Sequence, residues 1–173
     1  MKVMDRKICS YSAGAFTLIE VLMVVFIMAI GALLAIPMIS SGADFQLRAA
    51  ANIIAADLEY AKSLAITNQD NYLIIFDAAN ESYELQDSNS DVVADPVRAS
   101  GGISVDFAND SRFRQVDIET VSFDSTDTVI FDYLGAPYNG DFDSLSSSSI
   151  VLKAGDHTVT ITVAPVTGYV TIE

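Results

Sequence analysis

Hydrophobic and polar positions follow three successive rhythms along the chain. Residues 21–36 are an unbroken run of apolar or small side chains. The apolar character reaches back to Phe16, interrupted only by Thr17 and Glu20. At 1.5 Å per residue, a helix over residues 16–36 is about 30 Å long, close to the thickness of a bilayer core. Lys2, Arg6 and Lys7 precede the run, so the positive-inside rule predicts a cytoplasmic N-terminus and an exported remainder. Beyond Pro37, Leu47, Ala50, Ile54, Leu58, Ala61 and Ala65 recur at steps of three and four, one stripe of an amphipathic helix. Arg48, Asn52, Asp57, Glu59 and Lys62 lie largely off that stripe. The polar cluster at residues 68–71 predicts its end. A nearly continuous helix from Phe16 to Asn68 is about 80 Å long, with Pro37 and Gly42 the places for a kink or a melted turn.

From Tyr72 the rhythm is that of short strands and turns. Residues 72–77 and 82–86 flank a turn at 78–81 and predict a hairpin. Strands are expected at 92–97, 103–107, 116–123 and 128–133. A second hairpin is expected from 150–153 and 158–163 around the turn at 154–157, and residues 168–172 supply a last strand. Val159, Ile161 and Val163 alternate with threonines, the period of a half-buried strand. Residues 141–149, ending in four serines, predict a flexible loop.

Charge and cysteine usage narrow the function classes. The chain has 9 Lys and Arg against 23 Asp and Glu, a formal charge of −14. Residues 1–15 hold three basic side chains and one acidic one. The remainder therefore carries 6 against 22, a net of −16. Such a surface repels phosphate backbones, so no nucleic-acid partner is expected. Acidity otherwise favours solubility and weak self-association. Cys9 is the only cysteine and lies ahead of the apolar run. If that leader is removed, disulfides and Cys-ligated metals are excluded.

The segment Ala13-Gly14-Ala15-Phe16-Thr17-Leu18-Ile19-Glu20-Val21 resembles the processing site of type IV prepilins and type II secretion pseudopilins. The resemblance implies cleavage of the leader before Phe16, N-methylation of the new Phe16 amine, and a glutamate, here Glu20, as fifth mature residue. Pro37 falls where many of these proteins have a proline. The family normally has Gly before the Phe. Here Ala15 stands there with Gly14 one step earlier, so the expected scissile bond follows Ala15, with a cut after Gly14 as the alternative. A carboxylate deep in a membrane helix costs about 2.5–3.5 kcal/mol, so Glu20 needs a partner. The Phe16 amine of a neighbouring subunit is the candidate, which couples register to assembly. An ordinary secretory signal cut near Ser41-Gly42-Ala43, leaving Asp44 first, is one competing reading, and a signal-anchored periplasmic binding protein that retains its leader, with Met1 first, is another.

The order of one long helix followed only by strands, closing on Gly168-Tyr169-Val170-Thr171-Ile172, is similar to the GspH/FimT group of minor pseudopilins and pilins. This implies an α+β, pilin-like fold: a long N-terminal helix, transmembrane in its first half, packed on an antiparallel β-sandwich-like head. The implied segments are a leader (1–15), a membrane and filament-core helix (16–36), an amphipathic continuation (37–70) and a periplasmic head (71–173). Expected partners are other pilins or pseudopilins, a prepilin peptidase/methyltransferase and the inner membrane, with the head in the periplasm and no cofactor. Some minor pilins of the group bind DNA through basic residues around the terminal glycine, and here that segment carries none.

Other candidates for chemistry are weak. His157 is the only histidine and sits in a Gly155-Asp156-His157 turn, without a second ligand for a transition metal. Asp87, Asn89 and Asp91 match the start of a calcium loop, but Val92 and Arg98 occupy its required Gly and Glu positions, so a hairpin tip is expected. Asp141, Asp143 and Asn139 offer at most a weak calcium site. Ser146 to Ser149 lack a nucleophile-elbow context. An enzyme is not expected.

Overall fold

A computed structural model of the protein describes residues 17–96 and 101–173, and the side chains of residues 32–41 lie outside that description. The chain divides into two compact units, Met1–Ile39 and Ser40–Glu173. One helix, α1 (Leu18–Asn68), contributes residues to both, and its helical backbone includes Pro37 and Gly42. The boundary between the units falls between those two residues.

In the second unit, the sequence stripe is the buried face of α1. Leu47, Ala50, Ile54, Leu58, Ala61 and Ala65 are fully buried, and Ala51 joins them. Three alanines at these spacings let the sheets approach the helix axis closely. The helix stops at the polar residues foreseen for it, where Gln69 adopts φ +57° and Asp70 N–H donates to the Ala65 carbonyl. A left-handed residue just past a helix with such a bond satisfies one of its orphan carbonyls.

Among the described residues nine short strands follow, all paired antiparallel. Strands β1 (Tyr72–Asp77), β2 (Ser82–Asp87), β3 (Ser104–Asp106), β5 (Thr128–Phe131) and β6 (Pro137–Asn139) form a sheet in the order β3-β2-β1-β5-β6. Strands β4 (Asp117–Phe123), β7 (Ser148–Ala154), β8 (His157–Val163) and β9 (Val170–Ile172) form the second, in the order β4-β7-β8-β9. One hydrophobic cluster joins the α1 stripe to both sheets, through Ile74, Phe76 and Leu85 on one and Ile150, Leu152 and Ile161 on the other. Phe76, Tyr83, Phe107, Phe113 and Phe123 form a chain of ring contacts within it, at centroid distances of 5.4 to 6.0 Å. That spacing is typical of favourable aromatic pairs.

Three sequence expectations change. Of the strand expected at 92–97, the described residues 92–96 make only isolated bridges, Gln86 with Val92 and Ala94 with Gly102, and Pro96 has no N–H to extend a ladder. The strand β6 was not anticipated, because Pro137 follows Gly135 and Ala136 and the segment reads as a turn. The serine run is not a loop to its end: Ser148 and Ser149 begin β7, where the Ser148 hydroxyl accepts from Val163 N–H (2.6 Å) and donates to its carbonyl (2.9 Å). Asp124 holds the two serines before them, accepting from the N–H groups of Ser146 (2.7 Å) and Ser147 (2.9 Å).

Candidate functional site: an exposed apolar helix and its acidic first turn

The N-terminal turns of α1 are built by a short local code. Thr17 stands at the N-cap: its hydroxyl oxygen accepts from the Glu20 N–H at 3.3 Å, and its carbonyl accepts from Glu20 and Val21 at 3.0 and 3.2 Å. A threonine followed three residues later by a glutamate is the capping-box pattern, and it satisfies a donor that the first turn otherwise leaves orphaned. The sequence reading missed this role of Thr17, although the spacing with Glu20 was there to be read. Glu20 is exposed in the first turn, where the positive end of the helix dipole favours a carboxylate.

Behind that turn the helix is apolar on every side and covered on none. Exposure runs from 84% at Leu18 to 49% at Ile30 across Leu18, Ile19, Val21 to Met28 and Ile30. A stable helix that is apolar all round belongs inside other apolar matter, protein or lipid. Leu18, Val21, Leu22 and Val25 line a shallow groove at the i, i+3, i+4, i+7 spacing by which one helix receives another. Among the described residues no helix is long and apolar enough to cross a membrane. The predicted span, residues 16–36, extends beyond the described side chains at both ends. The processing residues Gly14, Ala15 and Phe16 also lie outside the described residues, as does the side chain of Pro37. Gly42 lies in α1 with open space around its Cα.

A second constellation in the head went unforeseen. Lys62 on α1 is 18% exposed, pairs with Glu59 at 2.6 Å, and donates to the Gly168 carbonyl at 2.9 Å. Gly168 (φ +59°) and Gly135 (φ +81°) are buried, and a Cβ on Gly168 would stand 2.9 Å from the Gly135 carbonyl oxygen. The β5–β6 and β8–β9 turns therefore meet over the end of α1 only because both residues lack a side chain. Asp132 holds the first turn through the N–H groups of Leu134 and Ala136. Around the junction Ile66, Tyr133, Leu134, Val166 and Tyr169 are exposed, with Val166 in a left-handed conformation (φ +68°) rare for a β-branched residue. Beside the core, the Tyr83 hydroxyl donates to Asp57 at 2.6 Å, which explains an acid placed off the apolar stripe.

The polar candidates resolve into turn chemistry. Asp87 accepts from Asn89 and Asp91 N–H at 2.9 and 3.0 Å and closes the hairpin tip. The buried Asn139 side-chain oxygen accepts from Asp141 and Asp143 N–H, an Asx turn that leaves both carboxylates facing outward. Asp77 and Asp106 are held below the usual carboxylate range mainly by hydrogen bonds from the Asn80 and Asn109 side chains, and Asp124 by those from Ser146. His157 is exposed at the start of β8, after a two-residue Gly155-Asp156 loop with φ +60° at Gly155. That is the glycine position of a type II′ hairpin.

No protein-family model matches the sequence, and no curated protein matches it. Solved structures do resemble its fold. The Pseudomonas aeruginosa type IV minor pilin FimU superposes in its P21 crystal form with a TM-score of 0.50 at 14% identity, covering 75% of this chain and 90% of FimU. Its P65 form gives 0.49 at 17% identity, covering 73% and 92%. EpsH, the minor pseudopilin from the type 2 secretion system of Vibrio cholerae, gives 0.47 at 9% identity, covering 74% and 96%. The chain thus has the pilin-like fold, an α+β arrangement of a long helix with antiparallel sheets, as its sequence leads one to expect.

Proposed function

We propose that the protein is a structural, non-enzymatic subunit of a pilin-type filament, and specifically a minor pseudopilin of a type II secretion system. One observation carries the reading: the α1 face from Leu18 to Ile30 is apolar all round and exposed, with Glu20 in the turn ahead of it. Such a surface is stable only in a membrane or against other helices, and pilin-type assembly requires both in turn. The leader is cut after Ala15, Phe16 is methylated, and the helix anchors the subunit in the inner membrane with the head in the periplasm. On extraction, neighbouring helices rebury the apolar face. At about 25 cal/mol per Å² that reburial is the leading attractive term. Glu20, paired with a neighbour's Phe16 amine, sets the register, and Pro37 and Gly42 allow bending.

The acidic head supports secretion over DNA uptake, since the segment from Gly168 to Ile172 carries no basic residue. A type IV pilus minor pilin is the second reading, favoured by the fold shared with FimU.

Co-expression with a prepilin peptidase followed by intact-mass measurement tests the processing. The expected mass begins at methylated Phe16, whereas a start at Met1 or Asp44 defeats the proposal. Export and pilus assembly are then compared in a deletion strain complemented with wild type or Glu20→Ala. Loss of export alone supports the secretion reading, and loss of pili alone the second. A fully active Glu20→Ala variant removes the register argument.

A further inference from the structure

The four strands at sheet edges differ in how they are closed. β3 runs directly into the turn held by Asp106 and Asn109. β4 carries Asp117 and Glu119 and a register shift between Ile118 and Thr120. β6 opens on Pro137, and Tyr138 bridges to Ser144 on its outer side. These are the devices by which natural edges avoid pairing with another chain. β9 shares with β3 and β6 only its shortness and has no proline, bulge or charge among its residues Val170, Thr171 and Ile172.

The register shows which groups β9 leaves open. Thr160 and Glu173 exchange both backbone hydrogen bonds, and Ala164 N–H donates to the Tyr169 carbonyl. Residues 169, 171 and 173 therefore face β8, while the N–H and C=O groups of Val170 and Ile172 point away from it. Among the described residues these outward groups have no partner. Exposed apolar side chains accompany them: Ile172 on the strand, Tyr169 just before it, and Val166 at 82% exposure on the turn ahead. Through Gly168 this edge continues onto the junction bearing Leu134 and Ile66.

We propose that the β9 edge is a docking site for an extended segment of a different protein, added as a fifth antiparallel strand and carrying apolar side chains flanked by lysine or arginine. Charge decides against a second copy of this chain. Each copy brings a net of −14, or −16 without residues 1–15, and of the described basic side chains Arg48, Lys62, Arg112 and Lys153 are each already held by a carboxylate of the same chain, which leaves Arg114 as the one other described cation. Glu173 is exposed at the end of β9, opposite where a basic side chain of the incoming strand would lie. Main-chain bonds supply affinity and the basic flank supplies selectivity.

The test uses the full-length protein in detergent and two short synthetic peptides, both alternating valine and threonine, one ended by lysines and one by glutamates. The lysine-ended peptide is expected to bind at least tenfold tighter and to slow amide exchange at Val170 and Ile172. Ile172→Pro removes an outward N–H without touching the β8 ladder and should abolish binding. Ile172→Lys, which keeps that N–H and adds a like charge, should weaken it at least tenfold. Equal affinity for the two peptides, absence of binding, protection elsewhere in the head, or self-association through β9 in place of peptide binding would each overturn the proposal.

Discussion

The junction of the two turns makes a quantitative claim, tested by placing one methyl group at each of two glycines. Gly155 and Gly168 have almost the same backbone conformation, φ +60° and +59°, but opposite surroundings. A Cβ on Gly155 meets nothing within 4 Å. On Gly168 it meets the Gly135 carbonyl oxygen at 2.9 Å, Phe131 at 3.1 Å and the Lys62 stem at 3.2 Å. Gly155→Ala therefore bears only the left-handed strain, about 1–2 kcal/mol. Gly168→Ala bears the same strain plus overpacking of about 1–3 kcal/mol, because a backbone oxygen cannot swing aside. The loss of unfolded-state freedom is common to both substitutions and cancels in the comparison. In urea, with a slope of about 2 kcal/mol per molar, an extra 1–3 kcal/mol separates the midpoints by about 0.5–1.5 M. Unfolding of both variants followed by circular dichroism reads this difference directly. Coincident midpoints would refute the close approach of the turns over α1.

Leu58→Ala empties a fully buried position on the α1 stripe and should cost about 2–5 kcal/mol in the same urea assay. Val166→Asn replaces a strained, exposed β-branched residue by one that tolerates positive φ, and should raise stability by about 1 kcal/mol. Asp124 has its folded-state pKa lowered by the hydrogen bonds from Ser146, so its contribution is present above the unfolded value near 3.9 and is lost as pH falls through the folded one. Asp124→Asn should accordingly be less stable than wild type at neutral pH, with the gap closing below about pH 4. A gap independent of pH would rule out that assignment.

How much could be read in advance depended on whether a residue's role was periodic or relational. The α1 stripe emerged because burial on a helix repeats at fixed spacing, and every residue named for it is fully buried. β1 and the β7–β8 hairpin emerged for the same reason, with alternation bounded by turn residues. The Lys62–Gly168–Gly135 junction stayed invisible because its parts lie 106 and 33 residues apart and nothing local announces them. β6 was hidden by Pro137, which denies a ladder bond at a central strand but is harmless as the first residue of an edge strand. Thr17 is a different case: the local signal existed, but it was read only as part of a processing motif. Of the candidate site, the apolar run and Glu20 are legible in the sequence, and the hydrogen bonds of the first turn are visible only in the structure.

The acidity of the head takes on a different meaning once its turns are seen. Asp77, Asp87 and Asp106 each accept hydrogen bonds from neutral donors of their own turns, and Asp124 from Ser146 and Ser147 ahead of β7, which hold the charged form without cancelling it. Part of the carboxylate count is therefore local hydrogen-bond chemistry, and its field remains on the surface. Heads of this charge repel one another at any separation within a Debye length. Attraction between like copies has to come from elsewhere in the chain, and the exposed stretch from Leu18 to Ile30, charged only at Glu20, is a surface apolar enough to supply it. The repulsion then acts as a filter: it disfavours head-to-head contact between identical subunits and leaves contact with a basic partner favourable. On the proposed reading, association runs through the helix and discrimination through the head, so added salt should weaken the discrimination before it weakens the association.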